Sequence, residues 1–151
     1  TAGLIRVSKV NPDGTSFVLL QGLSRLRILS IPQEIPYRIL EVEPLDTIVD
    51  DSSNGLRAQL TTQLKRNLAL GGDVTEEIIE FLTPLDDDIA FVDLAAYSLC
   101  KSTIRKQALL EVQGFTKRAT MLIDDLTREN DRLTLLNQAL GGKSDEDLGF
   151  N

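Results

Sequence analysis

Two patterns of apolar and polar residues divide the chain. Up to about residue 50, apolar and β-branched residues occur in short runs broken by turn residues, which is typical of strands. From Ser52 onward the apolar positions recur with a period of about 3.6, which indicates amphipathic helices. We therefore predict an α+β chain with a β subdomain over residues 1–50, a helical subdomain over 51–140 and a flexible tail or linker over 141–151.

Turn residues separate the strands of the first part. The pattern predicts four strands, at residues 3–10, 16–22, 24–31 and 37–44. Asn11-Pro12-Asp13-Gly14 combines a proline whose φ suits a turn with a glycine that tolerates positive φ, so the first two strands should form a hairpin. Gly22 interrupts an otherwise extended pattern and predicts a bulge or a sharp bend.

A leucine stripe and three capping signals predict four helices in the middle of the chain. The stripe ends at Gly71-Gly72 and consists of Leu56, Leu60, Leu64 and Leu68. Asp73 followed by Glu76 fits a capping box, which predicts the start of the second helix. Asp86-Asp87-Asp88 places carboxylates at the start of the third helix, and we expect Ser102 to cap the fourth.

The last helix is predicted to run from about Thr116 to Leu140. Its apolar seam has alternating spacings of three and four, with Glu129 in one missing slot, and consists of Ala119, Leu122, Leu126, Leu133, Leu136 and Leu140. A seam of roughly 25 residues is about 37 Å long, which is more than a small domain needs to cover itself. We therefore expect part of this helix to project and to offer Leu133, Leu136 and Leu140 to a partner or a second copy.

The charge distribution limits the classes of partner. The net charge is −7, and the excess lies after Asp46 because the preceding part holds five basic and five acidic residues. An acidic surface repels phosphate groups, so we expect neither nucleic acid nor an anionic membrane as partner. Within the last helix, Asp124 with Arg128 and Glu129 with Arg132 have the spacing of ion pairs.

The sequence contains few of the residue types that catalytic sites commonly use. Histidine is absent and Cys100 is the single cysteine, which removes the commonest general base and the commonest metal ligand. We interpret Asp86-Asp87-Asp88 as a helix cap, Cys100 as a structural thiol, and Gly141-Gly142-Lys143-Ser144 as a linker that resembles only the tail of a phosphate-binding loop. We predict no catalytic residue, no cofactor and no metal site.

The cellular compartment follows from two further absences in the sequence. It has no apolar run of the roughly 20 residues that a transmembrane helix needs, and no charged-then-apolar leader. It also has no cysteine pair that would form an internal disulfide. We therefore expect a cytoplasmic protein.

Several local strings in a fixed order resemble the N-terminal domain of the Lon proteases. The strand section carries them as Asp13-Gly14, Val18-Leu19-Leu20-Gln21-Gly22-Leu23, Arg25-Leu26-Arg27-Ile28, and Tyr37 ahead of Val42-Glu43-Pro44. Downstream, Lys106-Gln107-Ala108-Leu109-Leu110-Glu111 is similar to a helix of the same domain that leads into a long helix. The resemblance covers about residues 3–140.

The resemblance implies a non-catalytic module that recognises unfolded or damaged proteins and helps assembly. Complete Lon proteases continue into ATPase and Ser-Lys peptidase domains, so the parent would be an ATP-dependent serine protease; a free-standing relative of the domain is the other form we consider. The family's domain normally begins with further strands. We therefore expect a small, mostly antiparallel sheet that is truncated at its start, with an open edge and an uncovered apolar face that favour pairing with another chain.

The candidate binding residues lie on the predicted strands and on the last helix. Phe17 and Tyr37 would line a hydrophobic groove for unfolded segments, although we favour core packing for both. Arg25 and Arg27 alternate on one strand and would contact a polypeptide, although we favour ion pairs with Glu41 or Glu43 on a neighbouring strand. We expect a homo-oligomer through the sheet edge or the long helix. Two alternatives remain, namely a coiled-coil oligomerisation module without clients and a small-molecule-binding domain.

Overall fold

A computed structural model describes residues 1–49 and 53–141 of the chain. The chain divides into two compact units, the β unit Thr1–Thr47 and the helical unit Ile48–Asn151. The strands are β1 (Ala2–Val10), β2 (Ser16–Gln33) and β3 (Ile39–Leu45), and the helices are α1 (Leu56–Ala69), α2 (Glu76–Leu82), α3 (Asp88–Leu99), α4 (Thr103–Glu111) and α5 (Phe115–Gly141). The prediction of an antiparallel sheet followed by a helical bundle with a long last helix is confirmed. The predicted tail and linker beyond Gly141 lie outside the described residues.

The β unit is a three-stranded antiparallel sheet with β2 in the centre. β1 pairs with the first half of β2 and β3 with the second half, so the strands predicted at residues 16–22 and 24–31 are one continuous strand. That prediction was wrong because Gly22 marks a shift of register rather than a break. Gly3 pairs with Gly22 and Ala2 pairs with Ser24, which leaves Leu23 as the extra residue of a bulge. The predicted irregularity at Gly22 is thereby confirmed.

The turn between β1 and β2 forms as predicted. The amide of Asn11 donates to the carbonyl of Thr15 over 2.8 Å, and the amide of Gly14 donates to the carbonyl of Asn11 over 3.1 Å. Gly14 has a φ of +84°, which a glycine adopts without steric cost. The carboxylate of Asp13 accepts the backbone N–H of Thr15 at 2.9 Å and its hydroxyl at 2.6 Å.

The helical unit closes around an apolar core. The predicted stripe on α1 is confirmed, since Leu56, Leu60 and Leu64 are buried and Leu68 is half-buried. Gly71 follows with a φ of +71°, which is a common way for a helix to end. The core is completed from the other helices and the segments between them by Val74, Leu82, Phe91, Val92, Ala95, Ala96, Leu109, Phe115, Ala119, Leu122 and Leu126.

Side chains cap three of these helices. Asp87 accepts the amide of Ile89 at the start of α3, and Ser102 accepts the amide of Arg105 at the start of α4, as predicted. The predicted cap of α2 was wrong, because Thr75 rather than Asp73 is the N-cap and its side chain accepts the amide of Ile78.

Buried polar side chains join α1 and α5. Asn130, not the predicted Glu129, occupies the slot in the apolar seam of α5, and its side chain is fully buried. The amide of Asn67 donates to the side-chain oxygen of Asn130 over 2.8 Å. The amide of Asn130 in turn donates to the backbone and side-chain oxygens of Gln63. Hydrogen bonds therefore compensate the cost of burying these amides.

Candidate protein-binding surfaces

The three strands carry an exposed apolar surface. No residue of the β unit is buried, and Ile5, Leu20 and Leu23 are each more than 60% exposed. Successive side chains of a strand point to opposite faces, so the run Phe17–Leu20 makes both faces of the sheet apolar. We call the following set the apolar sheet surface: Leu4, Ile5, Val7, Val10, Phe17, Val18, Leu19, Leu20, Leu23, Ile28, Leu29, Ile31, Ile39, Leu40 and Val42.

The same sheet has open backbone edges. Among the described residues, the flank of β2 opposite β1 has no strand partner over residues 16–24, and the flank opposite β3 has none over residues 25–33. β1 and β3 are themselves edge strands. An edge presents unpaired N–H and C=O groups, to which an extended polypeptide can add as a further strand.

Phe17 and Tyr37 are exposed rather than packed in a core. Their exposed fractions are 58% and 66%, so the favoured core interpretation was wrong for both. Phe17 lies beside the first hairpin, where it pairs with Lys9, and Tyr37 lies beyond the far end of β2, where its carbonyl accepts the side-chain amide of Gln33. Because they lie at opposite ends of the longest strand, they do not line one groove.

Arg25 and Arg27 lie on the second half of β2, next to β3. Nη1 of Arg27 lies 3.0 Å from Oε2 of Glu43, which confirms the favoured ion-pair interpretation for this residue. Nη1 of Arg25 donates to the hydroxyl of Thr47 over 3.3 Å. Both arginines therefore contact the β3 side of their own sheet, and the Arg27–Glu43 pair stays half in solvent.

The seam of α5 changes from buried to exposed along the helix. Leu133 is half-buried, whereas Leu136 is 43% and Leu140 71% exposed. The helix remains in contact with α1 as far as Asn137, whose side-chain amide donates to the carbonyl of Leu70 over 3.3 Å. α5 therefore projects by less than its length suggested. Leu136 and Leu140, with the exposed Leu135 beside them, form what we call the α5 terminal patch.

Asp87 and Cys100, which were considered as candidates for a metal site and a reactive thiol, make contacts that belong to the fold. Asp87 caps α3, and Cys100 is half-buried with its Sγ 3.6 Å from the carbonyl oxygen of Ser102. Within residues 1–49 and 53–141, no three side chains of the metal-binding types are grouped so that they could hold an ion. None of the helices in that part of the chain combines the length and the hydrophobicity that a membrane-spanning segment requires.

Comparison with known proteins identifies the family to which this chain is similar. Residues 1–128 match the family described as the ATP-dependent protease La (LON) substrate-binding domain. The Lon protease of Trichlorobacter lovleyi is 29% identical over 153 residues, covering 99% of this chain and 18% of the relative. The Lon protease of Lawsonia intracellularis is 31% identical over 136 residues, covering 87% of this chain and 16% of the relative.

The match is confined to one part of these relatives. The chain spans less than a fifth of the length of each, and the Lon protease of Citrifermentans bemidjiense gives the same result with 28% identity over 87% of this chain and 17% of the relative. The family match covers the whole β unit and the helices as far as the middle of α5. This chain therefore belongs to the ATP-dependent protease La (LON) substrate-binding domain family.

Proposed function

We propose that this chain is a non-catalytic module that binds unfolded or damaged polypeptides through the apolar sheet surface. The observation that carries the proposal is that the β unit buries none of its residues while it exposes large apolar side chains on both faces. Soluble monomers rarely expose a continuous apolar patch of more than a few hundred Å², and a larger one generally marks an interaction site.

The sheet offers the two features that an unfolded polypeptide needs from a binding partner. An unfolded chain exposes apolar side chains and backbone groups whose only hydrogen-bond partner is water. The apolar sheet surface would cover the side chains, and the open flanks of β2 would pair with the backbone. Neither contact depends strongly on the order of residues in the client, which suits a module with many different clients.

The names of the relatives supply the context of this binding. They are Lon proteases, and the chain corresponds to less than a fifth of their length. We infer that the module presents polypeptides to a protease whose peptide-bond chemistry is carried out by other domains. The absence of histidine from the chain agrees with a role in binding rather than catalysis.

The test uses a cross-strand pair on the apolar sheet surface. Ile5 and Leu20 are Cα partners on β1 and β2 and are 61% and 62% exposed. The double variant Ile5→Asp and Leu20→Asp should weaken binding of a permanently unfolded, carboxymethylated protein by about tenfold or more, because charge replaces apolar contact area. Fluorescence anisotropy of the labelled client measures the affinity, and circular dichroism checks the fold.

Ile104→Asp is the matched control, because Ile104 is an 85% exposed apolar residue of the helical unit. We expect it to bind the unfolded client within twofold of the original affinity. Failure of the unmodified chain to bind the client, or equal weakening by both kinds of variant, would refute the proposal.

The α5 terminal patch favours a second candidate function, which is self-association. Leu135, Leu136 and Leu140 expose apolar area on one end of a long helix, and a second copy would cover it. Sedimentation equilibrium should show an assembly that Leu136→Asp with Leu140→Asp converts to monomer. If the unmodified chain sediments as a monomer at all concentrations, this second function is excluded.

A further inference from the structure

The asparagine side chains of the chain differ in how firmly the fold holds them. Asn67 and Asn130 are buried and hydrogen-bonded to each other over 2.8 Å. The side-chain amide of Asn137 donates to a backbone carbonyl, and that of Asn11 donates to a neighbouring hydroxyl. Asn54, in contrast, is exposed and makes no side-chain hydrogen bond with another described residue. Its carboxamide can therefore rotate towards the backbone that follows it.

The residue after Asn54 presents an unshielded backbone nitrogen. It is Gly55, and no other asparagine of the sequence precedes a glycine. Gly55 is exposed, and its N–H donates no hydrogen bond to another described residue. Apart from its chain neighbours, no atom of the described residues lies within 4 Å of the position where a Cβ would stand. Because glycine itself has no Cβ, nothing on either side covers the nitrogen.

These two neighbours have the groups that a spontaneous deamidation in water requires. The backbone nitrogen of Gly55 attacks Cγ of Asn54, an N–Cγ bond forms, and the side-chain nitrogen leaves as ammonia with the proton of the Gly55 amide. Water then opens the cyclic imide. Cleavage of the new N–Cγ bond gives aspartate, whereas cleavage of the original peptide bond gives isoaspartate, in which the main chain runs through Cγ.

We propose that Asn54-Gly55 is a self-modification site, at which the folded chain loses ammonia and gains one negative charge at the start of α1. The first turn of α1 contains no acidic residue, and its N-cap, Gly55, makes no side-chain cap hydrogen bond. α2 and α3, by comparison, each have a carboxylate in the first turn. A negative charge is favourable at the N-terminal end of a helix, so the fold tolerates the product. The site belongs to the helical unit, so it stands or fails independently of client binding to the β unit.

The turn at Asp13-Gly14 shows that a following glycine alone is not sufficient. The amide of Gly14 already donates to the carbonyl of Asn11 over 3.1 Å. The carboxylate of Asp13 accepts the N–H and the hydroxyl of Thr15, and these hydrogen bonds hold its pKa below the ordinary value. Both reacting groups are therefore fixed, and the ionised carboxylate has no good leaving group. Asn54-Gly55 lacks all of these restraints among the described residues.

The test incubates the full chain in mildly alkaline buffer and digests samples with trypsin. The fragment 39–57 contains Asn54 and no other asparagine or glutamine, so a gain in its mass reports this site alone. We expect a time-dependent gain that corresponds to replacement of NH₂ by OH, with separate aspartate and isoaspartate products on reversed-phase chromatography. The intact chain should elute later from an anion exchanger as it gains the charge. Asn54→Gln should lose both changes, because glutamine closes the larger imide ring much more slowly.

Asp13→Asn is the matched control, because it places the same dipeptide in the β1–β2 turn. In the folded variant, position 13 should react about tenfold more slowly than Asn54, because the hydrogen bonds to Thr15 and from Gly14 must break first. In urea both positions should react at similar rates, which tandem mass spectrometry of the fragments measures. Three results would each overturn the proposal: no mass gain at Asn54 in the folded chain, equal rates at the two positions in the folded variant, or an undiminished charge gain in Asn54→Gln.

Discussion

The two units of this chain use apolar residues in opposite ways. Leu60 in the helical unit is fully buried, whereas Leu20 in the β unit is 62% exposed. A helix has one apolar stripe, and five helices can close around their stripes, but three strands with apolar side chains on both faces have nothing within the sheet to cover them. The helical unit therefore contains the buried core that stabilises it, whereas the apolar side chains of the β unit remain exposed for the contacts that we propose.

Polar contacts show the same contrast. The side chain of Arg118 is 1% exposed and its Nε lies 2.7 Å from Asp93 in the helical unit, whereas the Arg27–Glu43 pair of the sheet is about half exposed. A buried charge that loses its partner is costly, while an exposed pair contributes little to stability. The same type of contact thus has a different energetic weight in each unit.

The largest expected difference in the free energy of unfolding is between the truncation of one leucine in the helical unit and of one leucine in the β unit. Leu60→Ala should lower the free energy of unfolding by about 3 kcal/mol, because it leaves a cavity in the core. Leu20→Ala should lower it by less than about 0.5 kcal/mol, because solvent already covers most of that side chain. Urea denaturation followed by circular dichroism measures both. A comparable loss from Leu20→Ala would show that the apolar sheet surface is packed in solution and would break the contrast.

The next effect comes from removing one charge from each ion pair. Asp93→Asn should cost about 2 kcal/mol of stability, because it removes the negative charge that lies 2.7 Å from the buried guanidinium of Arg118. Glu43→Gln should cost less than about 0.5 kcal/mol, because Arg27 remains in contact with water. The same denaturation experiment compares them. Equal costs would mean that burial does not determine the energetic weight of these pairs.

A smaller effect is expected from hydrogen bonds that are not part of an ion pair. Asn130→Ala should cost about 1.5 kcal/mol, because it removes the partner of the buried amide of Asn67 and a bond to Gln63. Ser30→Ala on β2 removes a 2.7 Å hydrogen bond to the exposed Glu41 and should cost less than about 0.5 kcal/mol. Thermal unfolding measures the stability of both variants. A larger loss for Ser30→Ala would contradict the assignment of stability to the helical unit.

Local signals account for the part of the fold that was predictable from sequence. The Asn11–Gly14 turn, the leucine stripe of α1 and the caps at Asp87 and Ser102 each depend on residues a few positions apart. Such short-range chemistry is present in the sequence itself. The family strings in the strand section belong to the same class of information, and the family match confirmed them.

The missed features depend on contacts between distant residues. Asp73 and Thr75 are both suitable caps, but Asp73 pairs with Lys101, from a different part of the chain, and Thr75 caps α2. Asn130 resembles a surface residue until Asn67 and Gln63 are placed beside it. The exposure of Phe17 depends on what covers the sheet, and no pattern along the strand contains that information.

The smallest expected effects concern one carboxylate in each unit. Hydrogen bonds from the hydroxyl and the backbone N–H of Thr15 hold the pKa of Asp13 below its ordinary value in the β unit. In the helical unit, hydrogen bonding and charge attraction from Arg132 hold the pKa of Glu129 below its ordinary value. In both cases the folded pKa lies below the unfolded one. The stabilisation is therefore present above the unfolded carboxyl pKa and is lost as the pH falls through the folded pKa.

Salt should change the pKa values of these two carboxyl groups to different extents, because their hydrogen-bond partners differ in charge. Raising sodium chloride from about 0.1 M to about 1 M shortens the screening length from about 10 Å to about 3 Å. The pKa of Glu129 should then rise towards its ordinary value, because part of its shift comes from the charge of Arg132, whereas the pKa of Asp13 should stay low, because Thr15 is neutral. Carboxyl ¹³C NMR titrations measure both, with Arg132→Gln and Thr15→Ala as controls that each raise one pKa. An equal salt response at Asp13 would show that charge rather than neutral hydrogen bonding lowers its pKa, and the contrast between the two units would not extend to their carboxylates.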